Sequence, residues 1–501
     1  LCFMKKLIQP KFFLICSVLF LSSFVFGQID VNESYRYDFF EKIGNSNNLT
    51  YTISSLPKVF DKKILTTYDL NGKHLSTVDV PYKQIPELES CISVGTNTVF
   101  YFSFSYTKDI LLIVLDNKGQ EVSRKTIEYL KVFGTDLLPA GNDKFYLVAG
   151  VKNKKQGVSV ECFNLNLESQ WNYSKIPEKS KYFYTTSAVN ANGEVALIYS
   201  IKSVDDHILF IDANGNELGD QQMNKEGLKH YAPYKMHFKS PDELLVFADY
   251  GTFNEDPHMT TPTGLSIKHF NKVAEEIGNQ NLDFNVVREQ WGNRAIDGQL
   301  VAEPTPSLRV VDIQTINGKS TLIAESYYLT QRSETTRANP QAQPTTVVYK
   351  MLTMLDLYLL NMDNLSENME RIWKPERTIS IKGIKYYDAT DFCDLLEEKA
   401  MFGYQGLTGD QILIRGFSQN HEYFNTIPFN VNWEDVSTRT YFGLPLSDSY
   451  NPRGYTQSFE RASGIGPIPG MGLSGFIKTN DHLVLYRFHR PTANLQFAVI
   501  K

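Results

Sequence analysis

Between Thr98 and Ile127 the chain reads TVFYFSFSYTKDILLIVLDNKGQEVSRKTI, and the repetition of this arrangement limits the fold more than any other feature. Val99 to Ser105 is an aromatic and β-branched run, and Ile110 to Leu115 is apolar throughout, as expected of a strand covered on both faces. Asp116-Asn117-Lys118-Gly119 reverses the chain, because Asp and Asn bond back to nearby backbone and Gly accepts positive φ. Glu121 to Ile127 then alternates as a polar strand suited to an outer edge. The same order returns around Asp69-Leu70-Asn71-Gly72, around Asn164 to Ser169 after Val158 to Phe163, and around Asp212-Ala213-Asn214-Gly215 after Ile208 to Ile211. Turns that start at 69, 116, 164 and 212 are 47, 48 and 48 residues apart. A constant step of that size, filled with strands, predicts radial or linear β repetition.

A second series supports the first. A short polar or Gly turn precedes an apolar strand at Asn97-Thr98, Asn142-Asp143, Asn192-Gly193, Asp242, Asn317-Gly318, Gly409-Asp410 and Asn480-Asp481. A fifth hairpin is expected from Leu265 to Phe270, through Asn271-Lys272, to Val273 to Ile277. The repeating unit is therefore a four-stranded antiparallel meander with a polar fourth strand. Such a unit resembles the blade of a β-propeller, although the Gly-His and Trp-Asp pair of WD repeats, the double Gly of kelch repeats and the Asp-box are missing. The resemblance implies an all-β fold of seven blades, with a ring closed by N- and C-terminal strands. The last unit lacks a polar fourth strand before Lys501, and the pattern from Gln28 to Leu56 is too weak to show inner strands for the first hairpin. Eight blades, or two smaller propellers, are the alternatives.

The N-terminus reads as a secretory signal. Lys5, Lys6 and Lys11 give a positive start, Phe12 to Phe26 an apolar run, and Val25-Phe26-Gly27 a cleavage site, which makes Gln28 the first mature residue of a single domain over 28–501. No later run approaches the roughly 20 apolar residues of a membrane span. The expected location is periplasmic or extracellular. Removing the three leader lysines takes the formal charge from −6 to −9, which argues against a nucleic-acid partner. Cys91, Cys162 and Cys393 are far apart and show no zinc spacing, so buried small hydrophobes are expected rather than a disulfide framework or a metal site. No cofactor is indicated, and a monomer is expected.

In a propeller blade the first-to-second and third-to-fourth turns share one face, and the remaining connections share the other. Sorted this way, every long segment falls on the second face: 251–263 and 331–344 within blades, and 278–307, 376–390 and 443–470 between them. Long loops on a rigid scaffold are where binding concentrates. Two of them combine aromatics with arginine: Trp291 and Arg294 in REQWGNRAID, and Tyr450, Arg453 and Tyr455 in YNPRGYTQSFER. Flat rings for stacking and guanidinium groups for carboxylates or hydroxyls suit a peptide, glycan or protein ligand. The same aromatics would equally pin long loops to the disc. Signals of catalysis are weaker: Glu255-Asp256-Pro257-His258 and Asp205-Asp206-His207 read as connections, and HExxH, GxSxG and EF-hand patterns are missing. Two functions remain, a non-catalytic binding propeller and a hydrolase or lyase whose carboxylates come from several blades.

Overall fold

The computed structural model describes residues 29–36, 40–46, 48–55, 62–81, 86–104, 109–128, 132–153, 155–177, 181–201, 205–225, 228, 231–252, 261–285, 295–296, 299–300, 307–316, 319–336, 343–362, 365, 369–373, 379–382, 403–408, 411–418, 421–428, 439–442, 473–478, 483–489 and 494–500. Its elements are all β-strands. After β1 (Ile29–Arg36), the first sheet is β2 (Phe40–Asn45), β3 (Thr50–Ser55), β4 (Lys62–Tyr68) and β5 (His74–Pro81). The second is β6 (Pro86–Val94), β7 (Asn97–Phe104), β8 (Asp109–Leu115) and β9 (Glu121–Glu128). The third is β10 (Val132–Pro139), β11 (Lys144–Asn153), β12 (Lys155–Asn164) and β13 (Ser169–Lys175). The fourth is β14 (Tyr182–Val189), β15 (Val195–Ile201), β16 (Asp205–Ile211) and β17 (Glu217–Gln222), and the fifth β18 (Ala232–Ser240), β19 (Glu243–Thr252), β20 (Thr261–Asn271) and β21 (Glu276–Asp283).

A two-residue pair, β22 (Ala295–Ile296) with β23 (Gln299–Leu300), precedes the sixth sheet. That sheet holds β24 (Ser307–Ile316), β25 (Lys319–Thr336), β26 (Thr345–Asn361) and β27 (Met369–Trp373), with β28 (Ile379–Lys382) as a fifth strand on β26. The seventh is β29 (Gly403–Thr408), β30 (Gln411–Ser418), β31 (His421–Pro428) and β32 (Arg439–Phe442). The eighth is β33 (Leu473–Lys478), β34 (Leu483–His489) and β35 (Asn494–Ile500), completed by β1.

The described residues thus form eight blade-like sheets, where the sequence led to an expectation of seven. The difference lies at the N-terminus. β2 and β3 provide the inner strands that the weak pattern concealed, so the first sheet is complete and β1 is left to pair antiparallel with β35, Ile29 opposite Ile500.

Local chemistry explains the hairpins. Asp69 Oδ1 accepts the backbone N–H groups of Asn71 at 2.9 Å and Lys73 at 2.8 Å, so one carboxylate organises the whole turn. Asp116, Asn164, Asp212 and Asn271 do the same, as does Asn190 in a first-to-second turn. The fourth turn residue takes positive φ, which Gly72, Gly119 and Gly215 adopt freely. At Leu167 (61°) and Ala274 (67°) a side chain is tolerated there, and both are buried in inter-sheet cores. Ala274 also shows that the fifth hairpin is shifted from expectation. Val273 belongs to the turn, and the outer strand begins at Glu276.

Apolar side chains of the two middle strands fill the space between neighbouring sheets. Tyr51 of the first sheet meets Phe100 of the second edge-on at 5.1 Å, and four further clusters join sheets two to six in succession. Each fully buried Phe or Leu contributes about 1.5–3 kcal/mol. Outer-strand side chains add hydrogen bonds to the next sheet's turn: Ser123 Oγ to Leu165 O at 2.6 Å and Trp171 Nε1 to Ala213 O at 2.9 Å. Tyr35 of β1 does likewise, donating to Gly72 O at 2.8 Å. β1 therefore plays for the eighth sheet the part that β9 and β13 play for theirs.

Candidate functional site

The two faces of the molecule differ in construction. On the turn face, neighbouring sheets are tied turn to turn: Asn48 Nδ2 donates to Asn97 O at 2.8 Å, Tyr146 Oη to Gly193 O at 2.6 Å, and Asn190 Nδ2 to Pro241 O at 2.9 Å. The elaborations lie on the opposite face, and several segments expected to be loops there are partly strand. Residues 278–283 belong to β21, 331–336 to β25, and 379–382 to β28. β25 and β26 continue as a ladder from Tyr328 opposite Thr353 to Thr336 opposite Thr345, beyond the point where β24 stops at Tyr327. β28 pairs with Met351 to Met354 at the root of this arm. Thr335 and Thr346 face each other near its end, with hydroxyl oxygens 3.1 Å apart.

Trp291, Arg294, Tyr450, Arg453 and Tyr455 lie outside the described residues, as do 443–470, Glu255 to His258, Cys393 and the leader. Cys91 Sγ donates to Asn45 O at 3.7 Å, and Cys162 is buried. Asp205, Asp206 and His207 open strand β16 rather than forming a connection.

What the structure does bring together is a set of polar side chains on the first strands of adjacent sheets. β6, β10, β14 and β18 lie next to one another in succession, as first strands do around a propeller axis. β2, β6, β10, β14, β18, β24 and β29 each carry a register shift at a matching place, for example between Tyr184 and Thr186 and between Val310 and Asp312. A bulge re-aims the side chains beside it, and here the redirected ones carry chemistry. The Tyr184 hydroxyl donates to Asp136 of the neighbouring sheet, and Ser187 Oγ donates to the same carboxylate at 2.8 Å. Burial pushes the Tyr184 phenol far above its usual range, and the Asp136 charge reinforces this. Thr135 Oγ1 donates to Tyr101 Oη at 3.0 Å, and burial raises that phenol to about 12. Across the seam of sheets five and six Lys235 Nζ donates to Val311 O at 2.7 Å, with His237 and Asp312 beside it.

Below the elaborated face, between sheets five and six, Arg309 lies over the Tyr234 ring at 5.0 Å and directly opposite Glu325 in the ladder. Asp249 adds its charge to the Tyr234 environment, and all four residues are buried. A buried charged group of this kind fixes geometry more than it adds stability.

A further cluster centres on Asp220 at the seam of sheets three and four. Its carboxylate accepts from Tyr199 Oη at 2.7 Å and from Lys175, and lies 3.3 Å from His207 Nδ1. Burial acts to raise its pKa, but the hydrogen bonds from His207, Lys175 and Tyr199 outweigh this and hold it down at about 2. A carboxylate held that acidic and met by three donors is a weak proton acceptor, which suits a structural tie better than a general base. Among the described residues no group of three His, Cys, Asp or Glu side chains could hold a metal ion.

No family model matches the chain, and no curated protein does. Among solved structures, a prolyl endopeptidase is similar over 91% of this chain and 55% of its own, at 10% identity and a TM-score of 0.42. Oligopeptidase B from Leishmania major matches 92% of this chain and 54% of its own, at 8% and 0.39. The WD40 domain of Toxoplasma gondii coronin matches 72% of this chain and 90% of its own, at 9% and 0.32. The chain spans about half the length of the two peptidases. No activity carries across at such identities.

The first-strand cluster is the part of the site that sequence reasoning missed. Asp136 and Tyr184 are 48 positions apart, and Lys235 and Asp312 are 77 apart, so each pair is brought together only by the packing of neighbouring sheets. Its signal in the sequence is the polar residue that interrupts these first strands, where the bulges fall.

Proposed function

We propose that the protein is an exported, non-catalytic binding propeller that recognises an extended peptide, a glycan or a protein surface through its elaborated face. One observation carries this reading. The extended β25–β26 arm, its β28 support and the β22–β23 pair all belong to sheets five and six and the link between them, whereas the turn face is occupied by sheet-to-sheet ties. Trp291, Arg294, Tyr450, Arg453 and Tyr455 are proposed as ligand contacts, because flat rings beside guanidinium groups suit such ligands. The acid–hydroxyl group at Asp136 favours binding over hydrolysis, since both hydroxyls donate to a carboxylate that they already satisfy. Release to the periplasm or the exterior, and a monomeric state, complete the proposal.

Glycan and peptide arrays probed with the purified chain test it. Specific retention is expected, and it should drop at least tenfold in a variant lacking Asn451 to Arg461 whose melting temperature is unchanged. Retention that survives this deletion, or turnover of an arrayed glycan or peptide, would overturn the reading.

A further inference from the structure

We propose that His237 makes the seam between sheets five and six acid-sensitive, so that the elaborated side is held firmly at neutral pH and loosens on acidification. This regulation rests on the reading that the elaborated side is the binding surface.

The bulge at Tyr234 reverses the alternation of β18, so that Met236 and Phe238 pack toward sheet four while Lys235 turns to sheet six. His237 follows two residues later on the side of Lys235. Lys235 Nζ bridges the seam to Val311 O at 2.7 Å. The next residue, Asp312, uses its carboxylate to accept Ile313 N at 2.8 Å and Gln314 Nε2 at 2.9 Å. The charged groups facing His237 are Lys235 on its own strand and Asp312 on β24. Burial first, and then Lys235, oppose protonation, and Asp312 offsets them in part, so the imidazole stays neutral below its ordinary range. An unfolded chain takes up the proton near pH 6.5, before the folded one. Stability is therefore lost as pH falls through that value. The new cation would sit beside Lys235, whose ammonium makes a hydrogen bond across the seam.

Two measurements test this on the full chain. Exchange of the histidine ring C–H, followed by mass spectrometry, reads the His237 titration without any variant. Melting from pH 8 to 5 then compares wild type with His237→Gln, Lys235→Met and Asp312→Asn. The expected results are a His237 midpoint below pH 6.5, a melting temperature that falls on acidification, and a shallower fall in His237→Gln. Lys235→Met should also be shallower and Asp312→Asn steeper, an opposition of sign that a purely structural role would not produce. A midpoint at or above pH 6.5, or a His237→Gln profile parallel to wild type, overturns the proposal. Neither measurement needs a ligand, so its failure leaves the binding reading standing, while blank arrays would remove that reading and leave the titration intact.

Discussion

Leu197→Asp is expected to lower the unfolding free energy by about 4 kcal/mol or more. Leu197 is fully buried on β15, opposite Ser187 and Leu209, and its cluster includes Tyr146, Val148 and Val160 of the third sheet. A carboxylate placed there meets no donor, so it must desolvate its charge or take up a proton, and either route costs several kcal/mol. Val122→Asp on β9 is the control: its parent side chain is 45% exposed, and the change should stay within about 0.5 kcal/mol. Denaturant midpoints measure both. Equal midpoints for Leu197→Asp and wild type would contradict the placing of β15 inside a packed pair of sheets.

Arg309→Met is expected to cost about 3–5 kcal/mol, because it removes a buried cation that lies over the Tyr234 ring at 5.0 Å and stands opposite the buried Glu325 in the ladder. The cost comes from changing the balance of charge in a buried site rather than from any intrinsic strength of the charged group. Adding Glu325→Leu should therefore recover part of it. The same denaturant series tests the point. A single variant as stable as wild type would show that the charges beneath the arm are exposed to water rather than enclosed between sheets.

The regular part of this architecture was legible because each hairpin is encoded locally. Asp116 and Asp212 build their turns from their own side chains, Gly119 and Gly215 supply positive φ, and the strands of sheets two to four follow in register. Where the local code is replaced by long-range pairing, the reading fell short. β2 and β3 carry no strong alternation and are held by Leu49, Tyr51 and Ile53 packing against sheet two, so the first sheet was undercounted. Gln331 to Thr336 is polar and loop-like, yet it pairs residue by residue with Thr345 to Lys350. The aromatic and arginine segments stand out by composition alone and lie outside the described residues. Asp136 and Tyr184 come together only through the curvature of the whole array.

The chain ends decide whether the eight sheets form a continuous circuit. Asp30 pairs with Val499 and Val31 with Ala498, and adjacent antiparallel pairs alternate between separations of about 5.5 and 4.5 Å, of which at least one suits a disulfide. One variant would carry cysteines at 30 and 499, another at 31 and 498, and peptide mapping under oxidising conditions would read the cross-link. A disulfide joining the first strand to the last in at least one variant is the expected result. If neither variant cross-links within the monomer, the first strand does not complete the eighth sheet, and the circuit of sheets that supports the elaborated face is broken.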